Sequence, residues 1–509
     1  MKKLLVLVWG LLAAGPIFSK VKLPSVLGSN MVLQRECDAN LWGWASPSKK
    51  VTVTTSWDGR KYATRADADG NWLLKVATPA AGGPYTIRIS DGEPVVLENV
   101  MVGEVWICSG QSNMGMPVCG YPGDPTERMN ELMLEAGKYP SLRLFHVRPE
   151  AASEPKDDCD GMGGWQVSSA HSVPGFTATG YIFGRKLCET LNVPVGMIQS
   201  DWGGTRIEAW MTVSAAQKVL PNILESDPAY DEQNRTARLY NAMICPLTNF
   251  TARGFLWYQG EANRGFDGYA RYMQELASLW RGRWGDAEMP FYFVQLAPYT
   301  YDDAEGLSLP LTVEQQTQAL DLIPFSGMAS TTDAGSEHTI HPPYKIRVGE
   351  RLALLALKRT YGYGALIAQS PRYESVRFEA GRAIVRFRTD GIMGPQWKGP
   401  IEGFEIAGAD RVFVPAEAEY VPGAPEVTVH SDRVPEPVAV RYAFRNMPRA
   451  ATLVNSGDLP AYPFRTSPSD GKSFPAIFSE NLITSASTVS LITSWYSTTS
   501  NPCSFSHSI

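Results

Sequence analysis

The spacing of apolar and polar positions divides the chain into stretches of different texture. From about residue 20 to 100, short alternating runs such as Val51–Thr55 and Tyr85–Ile89 are separated by Asp58-Gly59, Asp69-Gly70 and Asp91-Gly92. Alternation puts one face of a strand on a core and Asp-Gly pairs form turns, so this stretch predicts a small β-sandwich. From residue 101 to about 370 the runs become continuously apolar: Val102–Ser109, Val195–Ser200, Gly254–Tyr258, Phe291–Gln295 and Met328–Thr332. Such runs read as strands buried on both faces. Helical stretches interleave with them at Ala178–Leu191, Tyr269–Trp284 and Tyr344–Tyr361. That alternation predicts an α/β domain with a mainly parallel sheet and helices on both faces.

From 371 to 466 the β pattern returns, in Val376–Phe378, Ala383–Arg388 and Val438–Phe444, and predicts a second β module. Residues 467–509 are rich in Ser and Thr and have no periodicity that would give a core, so a poorly ordered tail is expected. At the other end, Met1-Lys2-Lys3 precedes an apolar run from Leu4 to Ala14. A basic start and a run too short to span a bilayer have the layout of a signal peptide, here residues 1–19. The expectation is a secreted or periplasmic protein without membrane insertion.

Composition narrows the choice of partner. The net charge is -6 over 509 residues, without a long Lys/Arg run. Nucleic acid and anionic membrane surfaces need clustered positive charge, so neither is expected as a partner. The seven cysteines form no CxxC pair and no zinc spacing. Cys119 and Cys159 lie in loop-like sequence and could pair.

Candidate chemistry gathers in four segments, each at the end of a predicted strand. In such folds the active site lies at the carboxyl ends of the strands. The first runs from an apolar strand into Ser109-Gly110-Gln111-Ser112-Asn113-Met114. Gly110 permits a tight turn that lifts Ser112 to the sheet edge beside backbone N–H groups; alternatively, Ser112 only caps a helix. The second, Asp201-Trp202-Gly203-Gly204-Thr205, has paired glycines that let backbone approach a ligand. In the third, Gln259-Gly260-Glu261-Ala262-Asn263, Gln259 or Asn263 could offer an amide to an oxyanion, while Glu261 reads as a base or, preferably, as a partner for a nearby Arg. The fourth, Asp333 to Pro343, contains His341, with Asp333 and Glu337 as carboxylates able to hold an imidazole. Core packing accounts for most of the aromatic residues near these segments (Trp106, Trp202, Trp210, Trp257, Tyr258), although such rings can also stack on a sugar.

Together these segments resemble the SGNH-hydrolase superfamily and, more narrowly, the sialate O-acetylesterase family and related carbohydrate acetyl esterases. The resemblance is carried by Gly103–Met114, Pro194–Met211, Tyr240–Leu247, Gly254–Asn263 and Ile340–Leu352, and covers roughly Leu23 to Thr466. It implies a three-layer α/β/α core flanked by β-sandwich-like modules, and no metal or other cofactor. It implies Ser112 as nucleophile and His341 as base. Gly203 or Gly204 and an amide near Gln259 would help the Ser112 N–H hold the oxyanion. The substrate implied is an O-acetylated carbohydrate, foremost a sialic acid, with an acetylated plant polysaccharide such as xylan second; a non-catalytic carbohydrate binder is the reading from another class.

Two features depart from the family pattern. Many SGNH enzymes place an Asp three residues before the catalytic His, a position held here by His338. The orienting acid is therefore expected to be Asp333, then Glu337, then none, with a backbone carbonyl in its place. The residues beyond Thr466 also look foreign to the family.

Overall fold

The computed structural model describes residues 20–394, 399–448 and 450–467. The expected signal peptide and residues 468–509 of the expected tail lie outside the described residues. Six strands open the fold: β1 (Val32–Gln34), β2 (Asp38–Trp44), β3 (Lys50–Thr55), β4 (Lys61–Arg65), β5 (Asn71–Ala77) and β6 (Gly82–Ser90). They lead into the 17-residue strand β7 (Pro94–Gly110). Along its first part, β7 pairs with β6 antiparallel and, at Met101–Gly103, with β1 in parallel. The position predicted for a domain boundary, residue 100, thus lies inside one strand.

The second half of β7 is the middle of the α/β domain. Helices α1 (Ser112–Gly115) and α2 (Met129–Glu135), strands β8 (Leu142–His146) and β9 (Gln166–Val167), helix α3 (Ala178–Leu191) and strand β10 (Val195–Asp201) follow it. Then come α4 (Val213–Gln217), β11 (Gly254–Tyr258), α5 (Tyr269–Trp284), β12 (Phe291–Val294), α6 (Ser308–Leu322), β13 (Ser326–Ala329) and α7 (Lys345–Arg359). The sheet order is β13-β12-β11-β7-β10-β8-β9, parallel except for β9. Two four-stranded antiparallel sheets, between Arg372 and Arg465, close the described chain.

Continuously apolar strands are needed because each face of this sheet meets its own helices. Val105 and Ile107 of β7, Phe255 and Trp257 of β11, and Phe291 and Phe293 of β12 enter one core with Leu276 and Trp280 of α5. Their alternates, Trp106, Cys108, Leu256, Tyr258, Tyr292 and Val294, enter another with Phe183 of α3 and Leu352 and Leu355 of α7. Successive strand side chains point to opposite faces, so a polar residue at any of these positions would be buried on one side or the other. Two expectations are corrected. The strand predicted at Met328–Thr332 ends at Ala329, because Ser330 and Thr331 instead bond to Gln295 (Oγ to Oε1 2.9 Å; Oγ1 to the carbonyl 2.9 Å) and Thr332 to the Ala461 carbonyl. Cys159 is a buried free thiol, so it does not pair with Cys119.

Two buried carboxyls lie on the central strands, Glu104 within β7 and Asp201 at the end of β10, and their surroundings differ. Glu104 of β7 has no exposed side-chain surface, and it accepts from Arg35 Nε (2.6 Å), Arg253 Nε (2.9 Å), Gln34 Nε2 (3.1 Å) and Tyr361 Oη (2.9 Å). Burial alone would raise its pKa, but Arg253 and Arg35 hold it below the usual carboxylate range. Among the described residues no cation pairs with Asp201, the last residue of β10, and its Oδ2 is buried without a hydrogen-bond partner. Desolvation pushes its carboxyl up to about 7, opposed only by a bond to Gln199.

Glu104→Gln should therefore cost about 3 kcal/mol in urea unfolding, since two arginines lose their buried carboxylate; an unchanged midpoint would show that the cluster adds no stability. For Asp201 the folded pKa lies above the unfolded one, so its stabilisation is full below pH 4 or so and is lost as pH rises toward and past 7. Asp201→Asn should accordingly gain stability relative to wild type between pH 5 and pH 8; parallel stability curves would contradict this.

Candidate active site

The four segments flagged in the sequence meet at the carboxyl ends of β7, β10, β11 and β13. Gly110, the last residue of β7, lies in register with Asp201 on one side and Tyr258 on the other. Its φ is 139°, and a Cβ there would stand 2.1 Å from the Tyr258 carbonyl oxygen. Only glycine accepts both conditions. The chain then leaves the sheet. The Gln111 N–H donates to the Tyr258 carbonyl at 3.0 Å, and Gln111 Oε1 accepts from the N–H groups of Gly260 and Ala262, each at 3.3 Å. Ser112 opens α1 at 5% exposure, and no side chain caps this helix. Its hydroxyl therefore does not have the capping role open to it from sequence.

His341 lies on the loop after β13, and two links bring that loop to Ser112. Asn113 Nδ2 donates to the Ile340 carbonyl at 3.0 Å. Tyr121 donates its hydroxyl to the Ser112 carbonyl at 2.9 Å and sets its ring edge against the imidazole, with centroids 4.9 Å apart. Nδ1 of His341 faces Asp124 Oδ2 at 3.6 Å. The same oxygen accepts from Thr339 Oγ1 at 2.7 Å, and Thr339 Oγ1 in turn accepts from the His341 N–H at 3.0 Å. Burial lowers the imidazole pKa to about 4; the Lys345 charge adds to this and Asp124 opposes it. His341 is thus neutral at pH 7.

The carboxylate beside His341 is therefore Asp124 and not Asp333, the residue expected from sequence. Asp333 is taken by α7, whose Arg351 grips it with Nη1 at 2.6 Å and Nη2 at 2.8 Å while Arg347 Nη1 approaches to 3.4 Å. A bidentate guanidinium makes one of the strongest hydrogen-bonded pairs open to a carboxylate. Nor is Glu337 the carboxylate facing Nδ1. Asp124 sits in the turn Tyr121-Pro122-Gly123-Asp124 and bonds to Thr339, 215 residues away. No spacing in the sequence links that turn to His341.

The expected amide donors are also corrected. Gln259 is fully buried, and both its N–H bonds are spent, on the Thr205 carbonyl (3.0 Å) and Asn263 Oδ1 (2.8 Å). Asn263 Oδ1 also accepts from the Ile207 N–H (2.9 Å), and its Nδ2 donates to Glu208 (2.9 Å). Both side chains therefore hold the loop after β10 against the loop after β11. Gly203 and Gly204 precede the residues so held; Gly204 lies in the left-handed region at φ 70°, and its carbonyl accepts from Asn234 Nδ2 at 3.2 Å. The Trp202 N–H donates to the Gly110 carbonyl at 3.2 Å, which brings this glycine pair beside the turn that carries Ser112.

The Arg264 charge acts on Glu261, but among the described residues no arginine forms an ion pair with it; its Oε1 accepts from Asn113 Nδ2 at 2.6 Å. Asn113 Oδ1 accepts from Lys345 Nζ, also at 2.6 Å. Trp106, Trp210, Trp257 and Tyr258 are wholly buried and belong to the core, whereas Trp202 keeps exposed surface. Among the described residues no three His, Cys, Asp or Glu side chains gather as a metal site, and no helix is long and apolar enough to cross a membrane.

Residues 102–358 match the model of the family described as carbohydrate esterase, sialic acid-specific acetylesterase. Sialate O-acetylesterase of Mus musculus is 28% identical over 86% of this chain and 93% of its own. The Homo sapiens enzyme of the same name is 30% identical over 71% of this chain and 75% of its own. A crystal structure of a carbohydrate acetylesterase from Xanthomonas citri superposes with a TM-score of 0.80 at 34% identity, covering 88% of this chain and 99% of that one. The chain belongs to the sialic acid-specific acetylesterase family of carbohydrate esterases, and it is a carboxylic ester hydrolase.

Proposed function

We propose that this chain removes O-acetyl groups from sialic acids, with Ser112 as nucleophile, His341 as general base and Asp124 orienting the imidazole. The observation that carries the reading is the pair of links, through Asn113 and Tyr121, that bring a neutral histidine backed by a carboxylate to the serine of a tight strand-to-helix turn. With Nδ1–H turned to Asp124, Nε2 is free to take the Ser112 proton. Ser112 attacks the acetyl carbonyl, and the oxyanion is received by the Ser112 N–H and an N–H of Gly203 or Gly204. The protonated imidazole then gives its proton to the departing sugar hydroxyl. Water, activated by the same histidine, releases acetate.

The relatives named for sialate esters favour a sialic acid as substrate. A second reading, an acetylated polysaccharide, is favoured by the Xanthomonas citri carbohydrate acetylesterase, whose chain is covered almost completely. The reading includes export, on the basic-then-apolar pattern of residues 1–14.

Ser112→Ala should abolish p-nitrophenyl acetate hydrolysis above background; equal rates in wild type and variant would end the serine-esterase reading. Acetate released from 9-O-acetylated sialic acid should exceed that from acetylated xylan, and the reverse order would select the polysaccharide. Asp124→Asn should lower kcat/KM roughly a thousandfold, as loss of a base-orienting carboxylate does, and Asp333→Asn less than about tenfold. The opposite ranking would return the role to Asp333. Because the His341 pKa is depressed, kcat/KM should hold from neutral pH down to about 5 and fall with a midpoint near 4, not near the ordinary imidazole value of about 6.5.

A further inference from the structure

A buried polar cluster lies behind the proposed catalytic pair. Lys345, the first residue of α7, is 1% exposed. Its Nζ donates to Asn113 Oδ1 at 2.6 Å and stands 5.5 Å from the centre of the Tyr258 ring. Asn113 Nδ2 donates to Glu261 Oε1 at 2.6 Å and to the Ile340 carbonyl at 3.0 Å. One amide therefore ties together the residue after Ser112, the loop after β11 and the residue before His341, and the lysine fixes which way that amide faces. An asparagine can turn its oxygen and nitrogen either way; a cation on one side and a carboxylate on the other admit a single orientation.

We propose that Lys345 is a positioning residue for the ester hydrolysis: it locks the Asn113 amide that joins the nucleophile turn to the histidine loop, and it keeps a positive charge beside His341. The inference rests on the reading of Ser112 and His341 as nucleophile and base. A charge buried this deeply needs compensation, and it has it. Glu261, from the loop after β11, and Asp124, from the loop after α1, both favour its protonated form, although burial brings its pKa down to about 7. His341 faces Lys345 and Asp124, and Glu261 faces Arg264 in addition to Lys345. At the acid pH where His341 titrates, Lys345 carries its proton, so its repulsion acts on the imidazolium and extends the neutral, basic form of His341 to lower pH.

The test uses initial rates of p-nitrophenyl acetate hydrolysis by the full chain across the acid range, with Ser112→Ala measured alongside. Lys345→Met removes both the charge and the donor. It should lower kcat roughly tenfold to a hundredfold, with KM little changed, and raise the acid midpoint of kcat/KM by about one unit. Lys345→Gln keeps a donor for Asn113 Oδ1 but not the charge; it should move the midpoint as far with a smaller loss of kcat. Lys345→Arg keeps the charge and should leave the midpoint near wild type. The neutral variants answer independently, so failure of one to fold leaves the other. The proposal is overturned if a folded neutral variant keeps the wild-type midpoint, or if Arg shifts it as far as Met or Gln. A wild type no faster than Ser112→Ala would instead defeat the esterase reading itself.

Discussion

Glu104 is the carboxylate on which the parts of this molecule converge. It sits where β7 passes from the N-terminal sheet into the α/β sheet, and it takes Arg35 and Gln34 from one side, Arg253 from the other and Tyr361 from beyond the end of α7. Removing a carboxylate from water is costly, and only charged partners at close range offset it. The consequence is positional. Because one strand serves both sheets and its midpoint is pinned by three segments of chain, the carboxyl end of β7 has a defined place relative to β10 and β11. Ser112 stands one residue beyond the turn that ends this strand.

The carboxyls nearer the site are treated in the opposite way. Asp201 has a buried oxygen without a partner, and Glu261 has another, so both are pushed toward their neutral forms. Gly115 lets Asp201 approach: a Cβ there would stand 2.0 Å from Asp201 Oδ1. The low-dielectric surroundings that disfavour these charges also keep His341 neutral. Buried carboxyls without a cation to offset desolvation are costly to stability, and such shifted groups cluster at functional sites.

The amide side chains divide into two kinds. Gln259 and Asn263 bond to one another and to Thr205, Ile207 and Glu208, so they hold the loop after β10 in place. Asn113 bridges loops that are far apart in sequence. Type and position in a motif do not distinguish these roles, because an amide can donate to a ligand or to a neighbouring carbonyl with equal ease.

Reading the chain by pattern located the strands that carry the site, since strands buried on both faces must be continuously apolar. Gly254–Tyr258 and the helices Ala178–Leu191 and Tyr269–Trp284 stand as read. Helix α6 escaped because Gln315 and Gln316 interrupt its apolar stripe; Gln316 is buried against the edge of β12, bonding Leu296 N–H and the Val294 carbonyl. By itself the sequence determined the α/β class, the serine in its glycine-permitted turn and the histidine loop, all features set by local order. The tertiary structure alone decided which carboxylate faces His341 and which groups the amides bond. Asp124 reaches the histidine across a separation that leaves no periodic trace, and Asp333, though on the same loop as His341, is held by two arginines one turn apart on α7.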